Sequence, residues 1–521
     1  MITVPRELSD FVKGGLSLLI KGGSGCGKTT LALSLLEELG GGFYISTRVS
    51  AEKLKLHFPW VGSNVKVVDA TNPSIPKRAP SIVIRYLTAP QFLQALYSEL
   101  SRHSAHRVVV IDSIEALRAH LSEEDRLEKT VLEVCESAGA SAVFVSECTG
   151  ETTLDYMVDG IVQLRRESLD GRVLRVMDIH KLRGKAIEKP SYVFTLHQGE
   201  FRALQDFQPH VEGVCNAICS NCPSYRESCL GCIEANKASD SKCPIYECAM
   251  QLKVAGCKLC PREDECTLLP EVSRPGLKLR PGVWKPIQNS VLYYSTGVED
   301  LDRMLGGGYP RGSICTLDLG EELPGGVLEL LARPTICNFL MQGDGVVSVP
   351  VGWRSPKQLA KYVKPYVSKD RFNRLYRVVR YRGAAEGRLE PYEVTLPSDR
   401  PEDFARELIA VAEELRKVTG GVRVGVGICS LAERFGVRGA TSMLEKLAIY
   451  ARQSSALVQC SAMGCTAELE KTLKRLSSVY LKARMTCGTV LLYGEKPRTE
   501  LYVLEVDASL GYPVPKLTPV Q

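Results

Sequence analysis

The run Gly22-Gly23-Ser24-Gly25-Cys26-Gly27-Lys28-Thr29 leaves the chain around it few ways to fold. It meets the spacing G-x-x-x-x-G-K-[ST], which works only between the end of a buried strand and the first turn of a helix. Leu16–Ile20 supplies the apolar strand and Thr30–Glu38 the helix. Glycines there let backbone N–H groups curl around phosphate oxygens where side chains would block the approach. Gly22, Gly23, Ser24, Gly25, Cys26, Gly27, Lys28, Thr29 and Thr30 form the expected triphosphate cradle. Lys28 would reach the β and γ oxygens, and the Thr29 hydroxyl would coordinate Mg²⁺ beside the positive end of the helix. ATP and Mg²⁺ are the expected ligands.

At 521 residues the chain is too long for one core. Residues 1–205 alternate apolar and amphipathic stretches, which predicts an α/β domain with a mostly parallel sheet. Residues 206–275 are cysteine-rich and too poor in apolar sequence to build a core unaided. Residues 276–521 begin with a Pro/Gly-rich linker and return to an α/β pattern. No apolar run reaches the ~18–20 residues that span a bilayer, and MITVPRELSD lacks a signal-peptide core, so a cytoplasmic protein is expected. A net charge of +6 is too small at this length to argue for nucleic acid by itself.

Arg107–Leu117 (RVVVIDSIEAL) reads as a strand ending in Asp112, whose carboxylate can hold a Mg²⁺ water opposite the phosphate loop. Asp159–Gly184 reads as two strands around a turn, closing on Lys181-Leu182-Arg183-Gly184. This layout resembles the RecA-superfamily branch that contains KaiC. The resemblance implies that Lys181 and Arg183 stabilise charge on the triphosphate of a neighbouring subunit. Phe43–Val61 and the opening VPRELSDFVKGGLSLLIKGGSGCGKTT are similar to the archaeal gas-vesicle regulator family GvpD. That likeness implies a RecA-like fold and a regulatory role through a protein partner such as another regulator or a transcription factor; a homo-oligomer is left open. KaiC-like enzymes place two glutamates after the second strand, one of which activates water. Here Ser46-Thr47-Arg48-Val49 stands in their place, so slow hydrolysis is expected, with Glu147, Glu115 or Glu52 as substitute base.

Ser295–Ser313 (STGVEDLDRMLGGGYPRGS) resembles the lead-in to a second KaiC-like phosphate loop. The loop after it is degenerate. Gly326 and Val327 fall where Lys28 and Thr29 stand, Glu321 and Glu322 put negative charge at a phosphate site, and Cys429 takes the Asp112 position. This second α/β domain should not bind Mg-ATP. Lys496 and Arg498 are expected at an ATP site as an echo of Lys181 and Arg183.

Ten of the 19 cysteines crowd into Cys215, Cys219, Cys222, Cys229, Cys232, Cys243, Cys248, Cys257, Cys260 and Cys266. Two copies of a C-x2-C-P…R-E…C triad stand out, and closely spaced pairs put two thiolates on one turn. An Fe–S cluster or Zn²⁺ is expected, with disulfides as a third reading. Cys26 and the other eight cysteines read as ordinary buried small residues. Lys357–Arg382 interleaves cations with Tyr362, Tyr366, Phe372, Tyr376 and Tyr381, open to an acidic partner, to nucleic acid or to a plain core stripe. The whole is expected to be a two-lobed regulatory ATPase. A DNA-binding RecA paralogue and a redox sensor gating an ATPase are the alternatives.

Overall fold

The apolar run before the glycine loop becomes strand β1 (Leu18–Gly22), flanked in parallel by β6 (Ser141–Ser146) and β7 (Gly160–Leu169). In the computed structural model the described residues are 4–71, 82–84, 86, 88–102, 108–120, 127–207, 244–254, 260, 284–324, 326–350, 356–361, 363–381, 389–507, 510 and 512–520. They divide into two compact units: 1–206 with 486–489 and 519–521, and 207–485 with 490–518.

In the first unit, β2 (Gly42–Ser46), β3 (Val65–Asp69), β4 (Ile82–Val83) and β5 (Val108–Asp112) join β1, β6 and β7 in the parallel order β4-β3-β2-β5-β6-β1-β7. The chain then reverses through β8 (Arg172–Leu182), β9 (Ser191–Thr195) and β10 (Arg202–Ala203), all antiparallel. The central strands are apolar on both faces because helices cover both. Their period-two alternation sends Leu18, Ile20, Tyr44 and Val110 to the face under helix α2 (Lys28–Glu38). It sends Leu19, Phe43, Ile45 and Ile111 to the opposite face, against Phe92, Leu96 and Val131.

The second unit opens with a small ribbon, β11 (Tyr293–Tyr294) and β12 (Tyr309–Pro310). Its sheet contains β13 (Ser313–Leu319), β14 (Gly345–Ser348), β15 (Tyr376–Tyr381), β16 (Glu393–Leu396), β17 (Val422–Gly427), β18 (Leu457–Met463), β19 (Val479–Thr486), β20 (Thr489–Lys496), β21 (Tyr502–Asp507) and β22 (Val514–Pro519). The order β16-β15-β14-β17-β18-β13-β19-β20-β21-β22 repeats that of the first unit, strand for strand, with β13 in the place of β1. Helix Gly326–Gln342 follows β13 as α2 follows β1.

Of the cysteine-rich stretch, the described part is the helix Pro244–Gln251, which carries Cys248, and Cys260. The other eight cysteines proposed as metal ligands lie outside the described residues. Among the described residues, no group of His, Cys, Asp or Glu is arranged to hold a metal ion. No described helix is long and apolar enough to cross a membrane.

One expectation changes. Cys429 and Cys465 are not isolated small residues but form a disulfide. Of the readings open for the basic stretch, its rings follow the core stripe: Tyr366, Phe372 and Tyr376 are buried in the second unit's core. Period-two and helical spacing turned the rings inward and left Lys364, Lys369 and Arg374 exposed. Tyr362 lies outside the described residues.

Candidate functional site

β1 ends at Gly22, and only glycine fits there. Its φ is +149°, and a Cβ would stand 2.3 Å from the Leu164 carbonyl oxygen on β7. Gly27, at φ +106°, precedes the first turn of α2, so Lys28 and Thr29 start that helix with their N–H groups toward the loop. Lys28 is buried, and its Nζ donates to the carbonyls of Gly22 (2.7 Å) and Gly23 (2.8 Å). Thr29 Oγ1 donates to Asp112 Oδ2 at 2.6 Å, and Tyr44 donates its phenol proton to the same oxygen. Burial, and then the Asp112 charge, push the Tyr44 phenol well above its usual range, so it stays a donor. The loop glycines, the cationic Lys28 and the paired hydroxyl and carboxylate oxygens fit a magnesium–triphosphate.

Lys28, Thr29, Tyr44, Arg48, Asp112 and Glu147 line one cleft of about 410 Å³. Thr47, in the segment where glutamates were expected, pins the turn after β5. Its hydroxyl lies 2.9 Å from the Asp112 carbonyl and accepts the Ser113 N–H at 2.7 Å. Arg48 reaches across the mouth of the cleft to pair with Glu147. Glu115 stands one step behind, accepting from the Ser146 hydroxyl and from the Glu147 N–H (3.1 Å). Glu52 is exposed on helix α3 (Ala51–His57) and does not line the cleft.

Residues the sequence did not single out also reach the loop. Arg166 on β7 and its register partner Arg175 on β8 both donate to the Gly25 carbonyl, Arg175 at 3.3 Å. Burial and the neighbouring Arg166 charge lower the Arg175 pKa. Lys181 and Arg183 sit at the other end of β8. Lys181 Nζ donates to the carbonyls of Asp155 (3.1 Å) and Val158 (2.7 Å), and Arg183 pairs with Asp159 at 3.0 Å. Eight residues separate Arg175 from Arg183, so at ~3.3 Å per residue the two ends lie roughly 26 Å apart. Lys181 and Arg183 are engaged by Asp155, Val158 and Asp159, and none of these contacts is to the phosphate loop of their own chain.

In the second unit the equivalent corner is closed by other chemistry. Asp318 is held by Tyr480 OH (2.9 Å) and by Arg484 (3.0 Å). Glu322 accepts the Met485 N–H at 3.0 Å, and Glu321 lines a small cavity beside Gly464 and Cys465. Counting register from Gly320 as the equivalent of Gly22 puts Ile428 at the Asp112 position, with Cys429 one place further on. Neither is a carboxylate. Lys496 donates to the Lys474 carbonyl at the end of β20 remote from this corner, mirroring the placement of Lys181.

A strand–glycine-loop–helix with its metal carboxylate across the cleft defines a RecA-type nucleotide-binding domain, and residues 6–201 match the family model described as KaiC. Residues 283–380 match the model described as GvpD basic region 2. Residues 6–201 thus form a KaiC-like ATPase domain, and the chain is similar to the GvpD proteins along its length. It is 25% identical to Protein GvpD2 of Halobacterium salinarum over 99% of this chain and 96% of that one. It is 27% identical to Protein GvpD1 of the same organism over 72% of this chain and 61% of that one.

Proposed function

We propose that this chain is a cytoplasmic, nucleotide-dependent regulatory ATPase that turns over slowly and acts through a protein partner. The convergence of Lys28, Thr29 and Asp112 in one cleft carries the proposal. In it, Lys28 leaves the carbonyls of Gly22 and Gly23 for the phosphate oxygens. Thr29 and Asp112 hold Mg²⁺, which supplies charge neutralisation on the phosphates. Tyr44 keeps Asp112 oriented. Glu147 is the base candidate that faces the cleft, and its pairing with Arg48 makes a carboxylate held by a cation a weak base. The result is a slow, gated site, suited to a switch whose partner completes or exposes the base. The cysteine-rich segment is proposed to be closed by Fe–S or Zn²⁺, because so little apolar sequence needs a staple.

The test is steady-state and single-turnover ATP hydrolysis with Lys28→Ala as control. Slow turnover that vanishes in the variant, and that rises when a copurifying protein is added back, supports the proposal. Turnover equal in both proteins would sink it.

A further inference from the structure

Beneath helix Gly326–Gln342 of the second unit lies a cavity of about 80 Å³ that holds charge where a core should be apolar. Arg333 and Arg423 both line it, and both are more than nine-tenths buried, at 6% and 4% exposure. Each is only partly satisfied. Arg333 Nη1 donates to Tyr366 OH at 2.9 Å, and Arg423 Nε donates to Gln459 Oε1 at 2.7 Å. Among the described residues, Arg333 Nε, Arg423 Nη1 and one carboxylate oxygen of the lining Glu329 are buried with no hydrogen-bond partner. Unpaired guanidinium N–H groups in a dry site are expensive, so the arrangement is stable only if something anionic or water-like meets them.

The first unit carries neither the Glu329 nor the Arg333 charge, although by register Arg423 stands where Arg107 does. With Gly326 as the equivalent of Lys28, Glu329 and Arg333 stand where Leu31 and Leu35 fill the first core, and by register Gln459 stands where Ala142 does. Glu329, Arg333 and Gln459 depart from the shared plan and meet in one cavity. Its walls indicate the ligand. Two arginines against one lining carboxylate, Glu329, leave one positive charge. The rest is mostly apolar, including Leu317, Leu359 and Val363. At ~10–15 Å³ per water, the cavity has room for more than a single water. The partly exposed Leu328, Ala332 and Ile336, one helical stripe, form its rim.

We propose that the second unit binds a small monocarboxylate here, with its carboxylate on Arg333 and Arg423 and its short aliphatic tail against the apolar wall. A planar two-oxygen anion suits a site lined by two guanidinium groups, and a single charge balances those of the described lining residues. The pseudo-domain that cannot hold a triphosphate would then report a metabolite's carboxylate.

The experiment is calorimetric titration of the full chain with butyrate, with its uncharged isostere butyramide, and with inorganic phosphate. Expected is binding of one butyrate per chain, none of butyramide, weaker binding of phosphate, and unchanged butyrate binding in Lys28→Ala. Arg423→Gln should weaken butyrate at least tenfold. Ala332→Leu, which narrows the rim and leaves both arginines in place, should do the same if Arg423→Gln does not fold. Butyrate binding no better than butyramide, equal in the parent and both variants, or abolished by Lys28→Ala overturns the proposal. Phosphate binding tighter than butyrate overturns the carboxylate assignment.

Discussion

Asp112 Oδ2 accepts protons from two hydroxyls, those of Thr29 and Tyr44, and this doubled support sets what each residue of the site can lose. A hydrogen bond to a charged group contributes about 1.5–3 kcal/mol. Tyr44→Phe should therefore leave ATP affinity near the parent value, since the loop and Lys28 are untouched, while raising the Mg²⁺ concentration needed for half-maximal turnover about tenfold. A Mg²⁺ titration of hydrolysis measures it, and an unchanged midpoint would remove Tyr44 from the site. Glu147→Gln should lower single-turnover hydrolysis at least tenfold with ATP binding retained; equal rates would move the base to Glu115 or to a partner. Lys28, Thr29 and Asp112 were legible in the sequence because one short spacing and one strand end fix them. Tyr44, Arg166 and Arg175 were not, since they meet the loop only through register between strands far apart in sequence, and a tyrosine in FYIS looks like core.

At the scale of elements, Lys21 on β1 ties the sheet to the short helix α7 (Thr153–Met157). The buried Lys21 ammonium donates to Asp155 Oδ1 (2.6 Å) and to the Gly150 carbonyl (2.7 Å). Asp155 also accepts from the Thr152 N–H (2.8 Å) and hydroxyl (2.6 Å), closing the first turn. Burial alone would raise this carboxyl's pKa, but the hydrogen bonds from Lys21 and Thr152 outweigh it and hold it below the usual range. A depressed carboxyl stabilises the fold above its unfolded pKa, ~3.9, and that contribution is lost as pH falls through the lower folded value. Asp155→Asn leaves a buried ammonium short of its counter-charge and should cost about 3 kcal/mol at pH 7. The gap to the parent should narrow as both are taken below about pH 4. Denaturation followed through the transition that ATP shifts would show this, and a gap independent of pH would refute it. Strand and helix positions around the loop were readable from hydrophobic period. The inward turn of Tyr366, Phe372 and Tyr376 was legible as one reading among three, because a cation-and-ring alternation also fits an exposed groove.

For the molecule as a whole, two copies of one sheet order have diverged into one equipped loop and one that carries Glu321 and Glu322 where phosphates would sit. One ATP should bind per chain, and Lys28→Ala should remove it entirely; a second site surviving that change would mean the second unit still holds nucleotide. The repeat was only half visible in the sequence: the STGVEDLDRMLGGG lead-in announced it, but strand order emerges from pairing and not from motif. Lys181 and Arg183 then meet a geometric constraint. By register Gly22 is level with Met177 on β8, so Lys181 and Arg183 stand roughly 13 and 20 Å of strand from the start of their own loop, held there by Asp155, Val158 and Asp159. The ATP they are expected to serve is therefore that of another copy of the chain. Turnover should therefore rise with protein concentration through self-association. Lys28→Ala chains and Arg183→Ala chains, each inactive alone, should recover part of the parental rate when mixed, because an intact loop on one meets an intact Arg183 on the other. Arg183→Ala that hydrolyses ATP normally, or mixtures no better than their components, would show that these cations only tie α7 to β8 through the Asp155, Val158 and Asp159 contacts.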